Sequence, residues 1–249
     1  RKVGTNFINH PLVSGSAVLF LGSLFGNLFN FLFNLFMSRN LPFADYGILV
    51  SLISFNTLVT LPVGAVSPTL VYFSAASFGR GELNKVRGLF NKIFLPSVMI
   101  GFIVFLIFII FRSQIGEFFR IHDSSLMVLV GLNVFIAFVA ITNGPLLQGK
   151  LAFGFLSIIN SLSSFVRLVL SIFLIFLGYS IGGLLLALFI SSLIPLILGF
   201  YKLRFLVDKK IIPMKVEVKN LFSYGAPSIL ATYALTAFIT QDIILVKHF

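Results

Sequence analysis

The chain has 249 residues, of which 58% are hydrophobic and only 10% are charged, and its mean hydropathy is +1.09. A soluble domain carries about 25% charged residues, so this chain has too little charge to cover a water-facing surface. The composition excludes a soluble enzyme, a nucleic-acid-binding domain and a disordered chain, and it predicts an integral membrane protein. Cysteine is absent, which excludes disulfides and thiolate metal sites.

Continuous apolar runs predict an all-α, polytopic transmembrane helix bundle. A membrane helix needs about 20 mostly apolar residues. The seven segments that qualify are Ser14–Met37, Tyr46–Phe73, Ile93–Phe111, Leu126–Leu147, Phe153–Leu177, Ile181–Phe200 and Gly225–Val246. These runs lack the alternating pattern of a membrane β-barrel, so strands are not expected.

Basic residues are divided unevenly between the two sides of the predicted spans. With the N-terminus inside, thirteen of the eighteen Lys and Arg residues fall in inner segments and four in outer segments, while Arg167 lies within a span. Because positively charged loops stay in the cytoplasm, this bias predicts a protein of the inner (plasma) membrane with a cytoplasmic N-terminus. The formal net charge of +11 is therefore a topology signal and does not indicate nucleic-acid binding.

Polar side chains form stripes along several predicted spans, and such stripes point away from lipid. Many Ser, Thr and Asn residues in membranes only hydrogen-bond a neighbouring helix, and that alternative stays open for each residue. The sharper hypothesis is a hydrated interior faced by spans one, two, five and seven, with spans three and six exposed to lipid, because burying several amides in a dry interface is costly. The residues expected to line it are Asn27, Asn30, Asn34, Asn160, Tyr233 and Thr236.

Arg167 lies near the middle of the fifth predicted span. A charge at that depth costs at least about 2.5–3.5 kcal/mol on insertion scales, so it should face water, an anion or a partner. An unpaired cation facing a cavity suits an anionic substrate such as a phosphate or pyrophosphate. The alternative is an arginine bonded to backbone carbonyls at a helix break.

Few other ionisable residues lie near the spans. Arg39 and Asp45 flank a short outer turn and could form an ion pair there, while Asp242 lies near the outer end of span seven. Asp45 and Asp242 are therefore candidates for gating or coupling. The sequence contains no HExxH motif, Cys cluster or glycine-rich phosphate loop, so no catalytic residue, metal site or cofactor is expected and the protein is not expected to be an enzyme.

The seventh predicted span resembles the first, with Gly225 aligned to Gly15 after a basic stretch in both cases. If the match is not a chance alignment of apolar helices, the unit that repeats has six helices. This interpretation divides the chain into an N-terminal lobe over residues 1–220 and the first helix of a second lobe over residues 221–249. The chain begins without Met and stops directly after a span, so a fragment of a longer transporter is expected.

Three motifs follow one another along the chain. They are Ser38-Arg39 with Leu41 and Asp45-Tyr46-Gly47 after a Gly-containing helix, Leu147-Gln148-Gly149 with Phe153 and then Arg167, and the segment Lys219 to Gly225-Ala226-Pro227. In their order and spacing, the chain resembles the polysaccharide-biosynthesis membrane proteins. These are lipid-linked oligosaccharide flippases, of the O-antigen type, in the multidrug/oligosaccharidyl-lipid/polysaccharide exporter superfamily.

The resemblance implies two lobes around a central cavity that work by alternating access. It implies a substrate of undecaprenyl-pyrophosphate-linked oligosaccharide, with Arg167 and Arg39 attracting the pyrophosphate and the polar stripes lining the path of the sugars. Membrane lipids, a glycan polymerase and glycosyltransferases are the implied partners. The chain departs from the family pattern by stopping after its seventh predicted span.

Two other functions remain open on the sequence alone. Multidrug exporters of the same superfamily often carry an acidic residue in the first helix, whereas that helix here carries only Asn27, Asn30 and Asn34, which favours the flippase branch. A nontransporting scaffold of a glycan-assembly complex is the third hypothesis.

Overall fold

The structure is a computed structural model that describes residues 11–119, 121, 123–207, 212–214, 230 and 234. Its regular elements within these residues are helical. In chain order they are α1 (Pro11–Asn40), α2 (Phe43–Gly79), α3 (Leu83–Ile110), α4 (Arg112–Phe118), α5 (Leu126–Val139), α6 (Asn143–Gly149), α7 (Phe153–Phe176), α8 (Ile181–Leu203) and a 3-10 turn at Arg204–Val207.

Six segments of the described chain are long and apolar enough to cross a membrane, which confirms the predicted polytopic bundle. The fourth segment combines α5 and α6. The six segments are Ala17–Asn40, Phe43–Gly79, Leu83–Ile110, Leu126–Gly149, Phe153–Phe176 and Ile181–Leu206. The predicted seventh span lies almost wholly outside the described residues, and so does its alignment with the first.

The second and third helices extend further than their apolar runs predict. The sequence places the end of span two at Phe73 and the start of span three at Ile93, but α2 continues to Gly79 and α3 begins at Leu83. Val86 and Phe90 in the added turns are buried against Leu146 and other residues at the ends of α6 and α8. The α3 helix therefore begins earlier than predicted because one side of its first turns is packed, although the polar residues on the opposite side keep these turns out of the apolar run.

Short connections make consecutive spans antiparallel, so each end of the bundle collects every second turn. One end, here called the basic end, carries most of the cations that the structure describes. They are Arg80, Lys85, Arg87, Lys92, Lys150, Lys202 and Arg204, whereas Arg39 and Arg112 lie at the opposite end. This is the asymmetry expected if the basic end faces the cytoplasm.

Glycine and phenylalanine interlock α3 with α5. A Cβ atom added to Gly101 would lie 2.6 Å from Cβ of Phe138, and one added to Gly131 would lie 2.8 Å from Cβ of Phe108. Each helix thus places a phenylalanine over a glycine of the other. Without a hydrophobic drive between helices in lipid, such close backbone approach supplies the packing contacts that hold them together.

Small residues also bring α1 against α7. The hydroxyl of Ser161 donates to the carbonyl of Gly22 at 2.9 Å, and that of Ser157 donates to the carbonyl of Val18 at 3.2 Å. Gly22 and Gly26, four residues apart, face this contact. Ser157 and Ser161 of α7 therefore serve as hydrogen-bonding contacts between helices, which is one of the two roles that polar residues in spans can have.

The predicted division into inward-facing and lipid-facing spans is wrong for α8. The α8 helix packs between α5 and α7, although span six was expected to face lipid. Only 17% of the apolar window is buried in each of α1 and α7, compared with 33% in α8, so a hydrated interior along the open faces of α1 and α7 stays a prediction. Gly183, Ala187 and Gly199 of α8 are buried, because their small side chains let neighbouring helices approach it closely. The third span is exposed as predicted.

Candidate anion-binding cavity

A cavity of about 200 Å³ lies inside the bundle between α2, α5, α7 and α8. Its polar lining consists of Arg167 from α7, Asn56 and Thr57 from α2, and Asn133 from α5. Leucine, isoleucine and valine side chains complete the wall. The only charged side chain in this lining is that of Arg167, so the cavity carries a net positive charge.

The guanidinium of Arg167 is held against an aromatic ring. Its Cζ atom lies 5.0 Å from the ring centroid of Phe33 on α1. Phe33 is itself 2% exposed and packs with Met37, Leu49 and Leu184, so the ring is fixed in place. A cation over an aromatic face is attracted by the ring, and the attraction is larger when the pair is away from water. The contact therefore orients the arginine without neutralising it.

Several buried polar atoms on α1, α2 and α7 have no partner within the described part of the chain. They include Arg167 Nε, Asn56 Oδ1, Asn30 Oδ1 and Ser171 Oγ. A buried polar group without a partner costs about 1–3 kcal/mol, so groups of this kind usually contact water or a ligand. The amide of Asn133 is instead anchored, because its Nδ2 donates to the carbonyl of Leu129 at 2.9 Å.

The donors of Arg167 suit a small anion, whereas the acceptor Asn56 Oδ1 suits water or a donor group. A guanidinium presents several donors in one plane and matches the oxygens of phosphate or carboxylate. The structure shows no ion pair or hydrogen bond from Arg167 to the residues that it describes, and the expected alternative of backbone carbonyls at a helix break is not seen there. A volume of about 200 Å³ is below the roughly 300–1,000 Å³ of ordinary ligand pockets, so the cavity can hold an ionic group but not an oligosaccharide.

The asparagines expected from the sequence lie elsewhere. Asn27, Asn34 and Asn160 are exposed in the described chain, and none of them lines the Arg167 cavity. Asn34 donates from Nδ2 to the carbonyl of Asn30 at 2.8 Å, so it partly serves its own helix. Their side chains line open faces of α1 and α7, and a role in binding sugars stays a prediction.

Two cavity residues, Asn56 and Asn133, were not among the sequence candidates. Asn133 lies in the middle of the apolar run of α5, where an amide side chain is unusual. Asn56 lies beside Thr57 in α2, where the neighbouring Ser and Thr residues make a single amide hard to single out in the sequence. An isolated amide deep inside an apolar run is the sequence signal that could have identified Asn133.

The predicted ion pair between Arg39 and Asp45 does not form. Arg39 lies in the last turn of α1 with an exposed side chain, while Asp45 lies in the first turn of α2. Asp45 Oδ2 instead accepts a hydrogen bond of 2.8 Å from the hydroxyl of Ser180, which precedes α8. The carboxylate thus links the starts of α2 and α8.

The remaining candidates lie outside the cavity or outside the described residues. Tyr233, Thr236 and Asp242 belong to the undescribed part of the chain. Among the residues that the structure does describe, no group of His, Cys, Asp and Glu could hold a metal ion. A larger groove of about 440 Å³ lies between α1 and α7, but its lining is apolar apart from two serine hydroxyls.

Solved structures share this fold. A MOP superfamily transporter from Pyrococcus furiosus is 17% identical with a TM-score of 0.63, and the match covers 89% of this chain and 52% of that one. A MATE in a straight conformation is 17% identical with a TM-score of 0.71, covering 88% and 52% of the two chains. An inward-facing multidrug resistance MATE family transporter is 17% identical with a TM-score of 0.66, covering 85% and 51%.

The chain therefore spans about half the length of the transporters whose fold it shares. No curated protein matches it significantly. The family model described as polysaccharide biosynthesis protein matches residues 12–249. Together with six helices able to cross a membrane, this match shows that the chain is a multi-pass membrane protein belonging to the polysaccharide biosynthesis protein family.

Proposed function

We propose that the chain is part of a transporter that moves an undecaprenyl-pyrophosphate-linked oligosaccharide across the inner (plasma) membrane by alternating access. The observation that carries the proposal is Arg167, a cation at the middle of α7 that lines a polar cavity and has no carboxylate partner among the described residues. Membership of the polysaccharide biosynthesis family supports a glycan-related substrate. The same features favour transport over catalysis, since no constellation of nucleophile, acid and base accompanies the arginine in the cavity lining.

The proposed role of Arg167 is to bind the pyrophosphate while the lipid tail remains in the bilayer. The two phosphates carry the charge of the substrate, and a guanidinium can bind phosphate oxygens through two parallel hydrogen bonds. Because the cavity is too small for the glycan, the sugars would pass along the open faces that carry Asn27, Asn34 and Asn160. Arg39 would attract the pyrophosphate at the far end of the path.

The proposed arrangement assigns residues 1–220 to one six-helix lobe and residues 221–249 to the first helix of a second. Coverage of about half of each solved transporter is the length that one lobe would have. The basic end would face the cytoplasm and with it the N-terminus. Tyr233 and Thr236 would then line the path from the second lobe, and Asp45 and Asp242 would serve gating or coupling. A glycan polymerase and glycosyltransferases are the proposed partners.

The test is glycan export by the natural protein at its full length, in cells that lack their own flippase. Arg167→Ala should reduce export by about tenfold or more, the equivalent of one charge-assisted hydrogen bond, at unchanged abundance of folded protein. Arg167→Lys should keep part of the export, because it keeps the charge but not the planar fork. Arg112→Ala, which removes an exposed arginine at the end of the bundle opposite the basic end, is the matched control. Normal export by Arg167→Ala would refute the proposal.

A second candidate is a multidrug exporter, which the fold shared with MATE transporters favours. A cationic drug should be repelled by Arg167, so efflux of an organic cation should persist or rise in Arg167→Glu while glycan export is unaffected. That pair of results would replace the flippase proposal with the exporter. Loss of glycan export without any change in cation efflux would support the flippase.

A further inference from the structure

Two lysines at the basic end reach across to aromatic rings of other elements. Lys150 lies in the turn between α6 and α7, and its Nζ is 4.2 Å from the ring centroid of Phe205, in the 3-10 turn after α8. Lys202 lies in the last turn of α8, and its Nζ is 5.3 Å from the ring centroid of Phe155, in the first turn of α7. The two contacts run in opposite directions between the same two regions, so they hold both ammonium groups over one small area.

The charges of this pair are not neutralised by described carboxylates. Burial lowers the pKa of Lys150, and the nearby charge of Lys202 lowers that pKa further. Glu82 is the one described acidic residue at the basic end, and its carboxylate is 2.9 Å from Lys85. Two like charges that repel each other at a partly desolvated position favour a shared anion, because one anion reduces the energy of both.

The location of the pair indicates which anion it meets. Tyr201, adjacent to Lys202, is 62% exposed, and the Cζ atom of Arg204 lies 5.0 Å from its ring centroid. Exposed tyrosines at the ends of membrane helices lie at the level of the lipid headgroups. Exposed Ile197 on α8, about one turn before Tyr201, continues this surface towards the hydrocarbon. The lysines therefore lie where phospholipid phosphates lie.

We propose that Lys150 and Lys202 together bind the phosphate of an anionic phospholipid headgroup at the basic end of the bundle. The aromatic rings of Phe205 and Phe155 hold the two ammonium groups at this site. The site is separate from the Arg167 cavity, because Arg167 lies near the middle of α7 and contacts other residues. The proposal does not depend on which substrate is transported.

The experiment measures lipid binding to the purified natural protein by native mass spectrometry, with phosphatidylglycerol and phosphatidylcholine as the two probes. Each of Lys150→Gln and Lys202→Gln should weaken phosphatidylglycerol binding by about fivefold, the effect of one cation at an anionic membrane surface. Lys92→Gln is the matched control, since Lys92 is an exposed lysine at the same end on α3. Its phosphatidylglycerol affinity should change by less than about twofold.

The double variant Lys150→Arg with Lys202→Arg preserves both charges and is the control for a loss of folding. It should keep phosphatidylglycerol binding, and a double Gln variant that elutes as the same folded species should lose it. Equal binding of phosphatidylcholine and phosphatidylglycerol, or unchanged binding by the double Gln variant, would overturn the proposal. Inorganic phosphate is the third probe. Displacement of phosphatidylglycerol by millimolar inorganic phosphate would overturn the lipid as the source of the phosphate, and resistance to it would support the lipid.

Discussion

The hydroxyl of Ser163 on α7 donates a hydrogen bond of 2.7 Å to the backbone carbonyl of Ser191 on α8. In a regular helix this carbonyl would accept from the amide four residues later, but that residue is Pro195, which has no N–H. A serine on the neighbouring helix thus satisfies the acceptor that the proline leaves open. The bond explains how α8 can contain a proline while it packs in the middle of the bundle.

Ser163→Ala should therefore destabilise the protein. It leaves the buried carbonyl of Ser191 without a donor, and the expected loss is about 0.5–2 kcal/mol in the free energy of unfolding, or about 2–4 °C in Tm for each kcal/mol. Thermal melting followed by circular dichroism is the suitable measurement, because the chain has neither Trp nor Cys to report on unfolding.

Ser164→Ala is the matched control for this prediction, since the Ser164 hydroxyl makes no hydrogen bond within the described part of the chain. Its Tm should stay near that of the unchanged protein. Pro195→Ala supplies the other half of a double-mutant cycle. It restores the amide, so the cost of Ser163→Ala should become smaller in that background, and an equal cost in both backgrounds would contradict the pairing.

Gly199→Ala should destabilise the contact between α8 and α6. A Cβ atom at Gly199 would lie 2.7 Å from Asn143 Nδ2 and 2.9 Å from Asn143 Cβ. That Nδ2 donates to the carbonyl of Leu196 at 3.1 Å, so moving the side chain also breaks a buried hydrogen bond. The expected loss is about 1–3 kcal/mol in the free energy of unfolding, read from the Tm.

Gly182→Ala on the same helix controls for the effect of adding a methyl group to a helical glycine. Its nearest contact would be 3.4 Å, to Leu126 Cδ2, which is ordinary packing. Alanine is the better helix former by about 0.5–1 kcal/mol, so this variant should be neutral or slightly stabilised. The prediction fails if both variants shift the Tm in the same direction by the same amount.

The α1–α7 contact should depend on the absence of a side chain at Gly22. A Cβ atom there would meet Ser157 Oγ and lie 2.6 Å from Ser157 Cβ and 3.0 Å from its Cα. Gly22→Ala should thus push the helices apart and lower the Tm by several degrees, at about 1–3 kcal/mol of overpacking cost. Gly47→Ala, where the added atom would have no neighbour within 4 Å, should not.

A compensating change separates this packing effect from a local effect on α1. Ser157→Gly removes the atoms that the new methyl group would meet, so the double variant Gly22→Ala with Ser157→Gly should recover part of the lost Tm. Ser157→Gly alone should be slightly destabilised, since it adds a glycine to a helix and removes the hydrogen bond to Val18. No recovery in the double variant would exclude the contact as the cause.

Two substitutions of Asp45 separate its contribution to stability from its proposed role in coupling. Asp45→Asn keeps an oxygen that can accept from the Ser180 hydroxyl, so its free energy of unfolding should change by less than about 0.5 kcal/mol. Asp45→Ala loses the acceptor and should cost about 1 kcal/mol. If Asp45 takes part in coupling, Asp45→Asn should lower transport although it folds normally. Unchanged transport would remove Asp45 from the coupling candidates.

The sequence by itself determined the features that depend on local composition. The six described spans follow from continuous apolar runs, and the two ends of the bundle differ because basic residues alternate with those runs. Arg167, which is half-buried in the structure, could be recognised as a residue within a span from its depth in one run alone. Family membership was also readable, because Ser38-Arg39, Asp45-Tyr46-Gly47 and the later motifs keep their order along the chain.

Only the tertiary structure decided which side chains meet. Helix rotation and packing brought Phe33, Asn56 and Asn133 to Arg167, and they left Asn27, Asn34 and Asn160 outside that cavity. They also joined Asp45 to Ser180 instead of Arg39. The physical reason is that these pairings depend on how glycine, alanine and phenylalanine fit between helices far apart in the chain, and hydropathy along the chain carries no record of that fit.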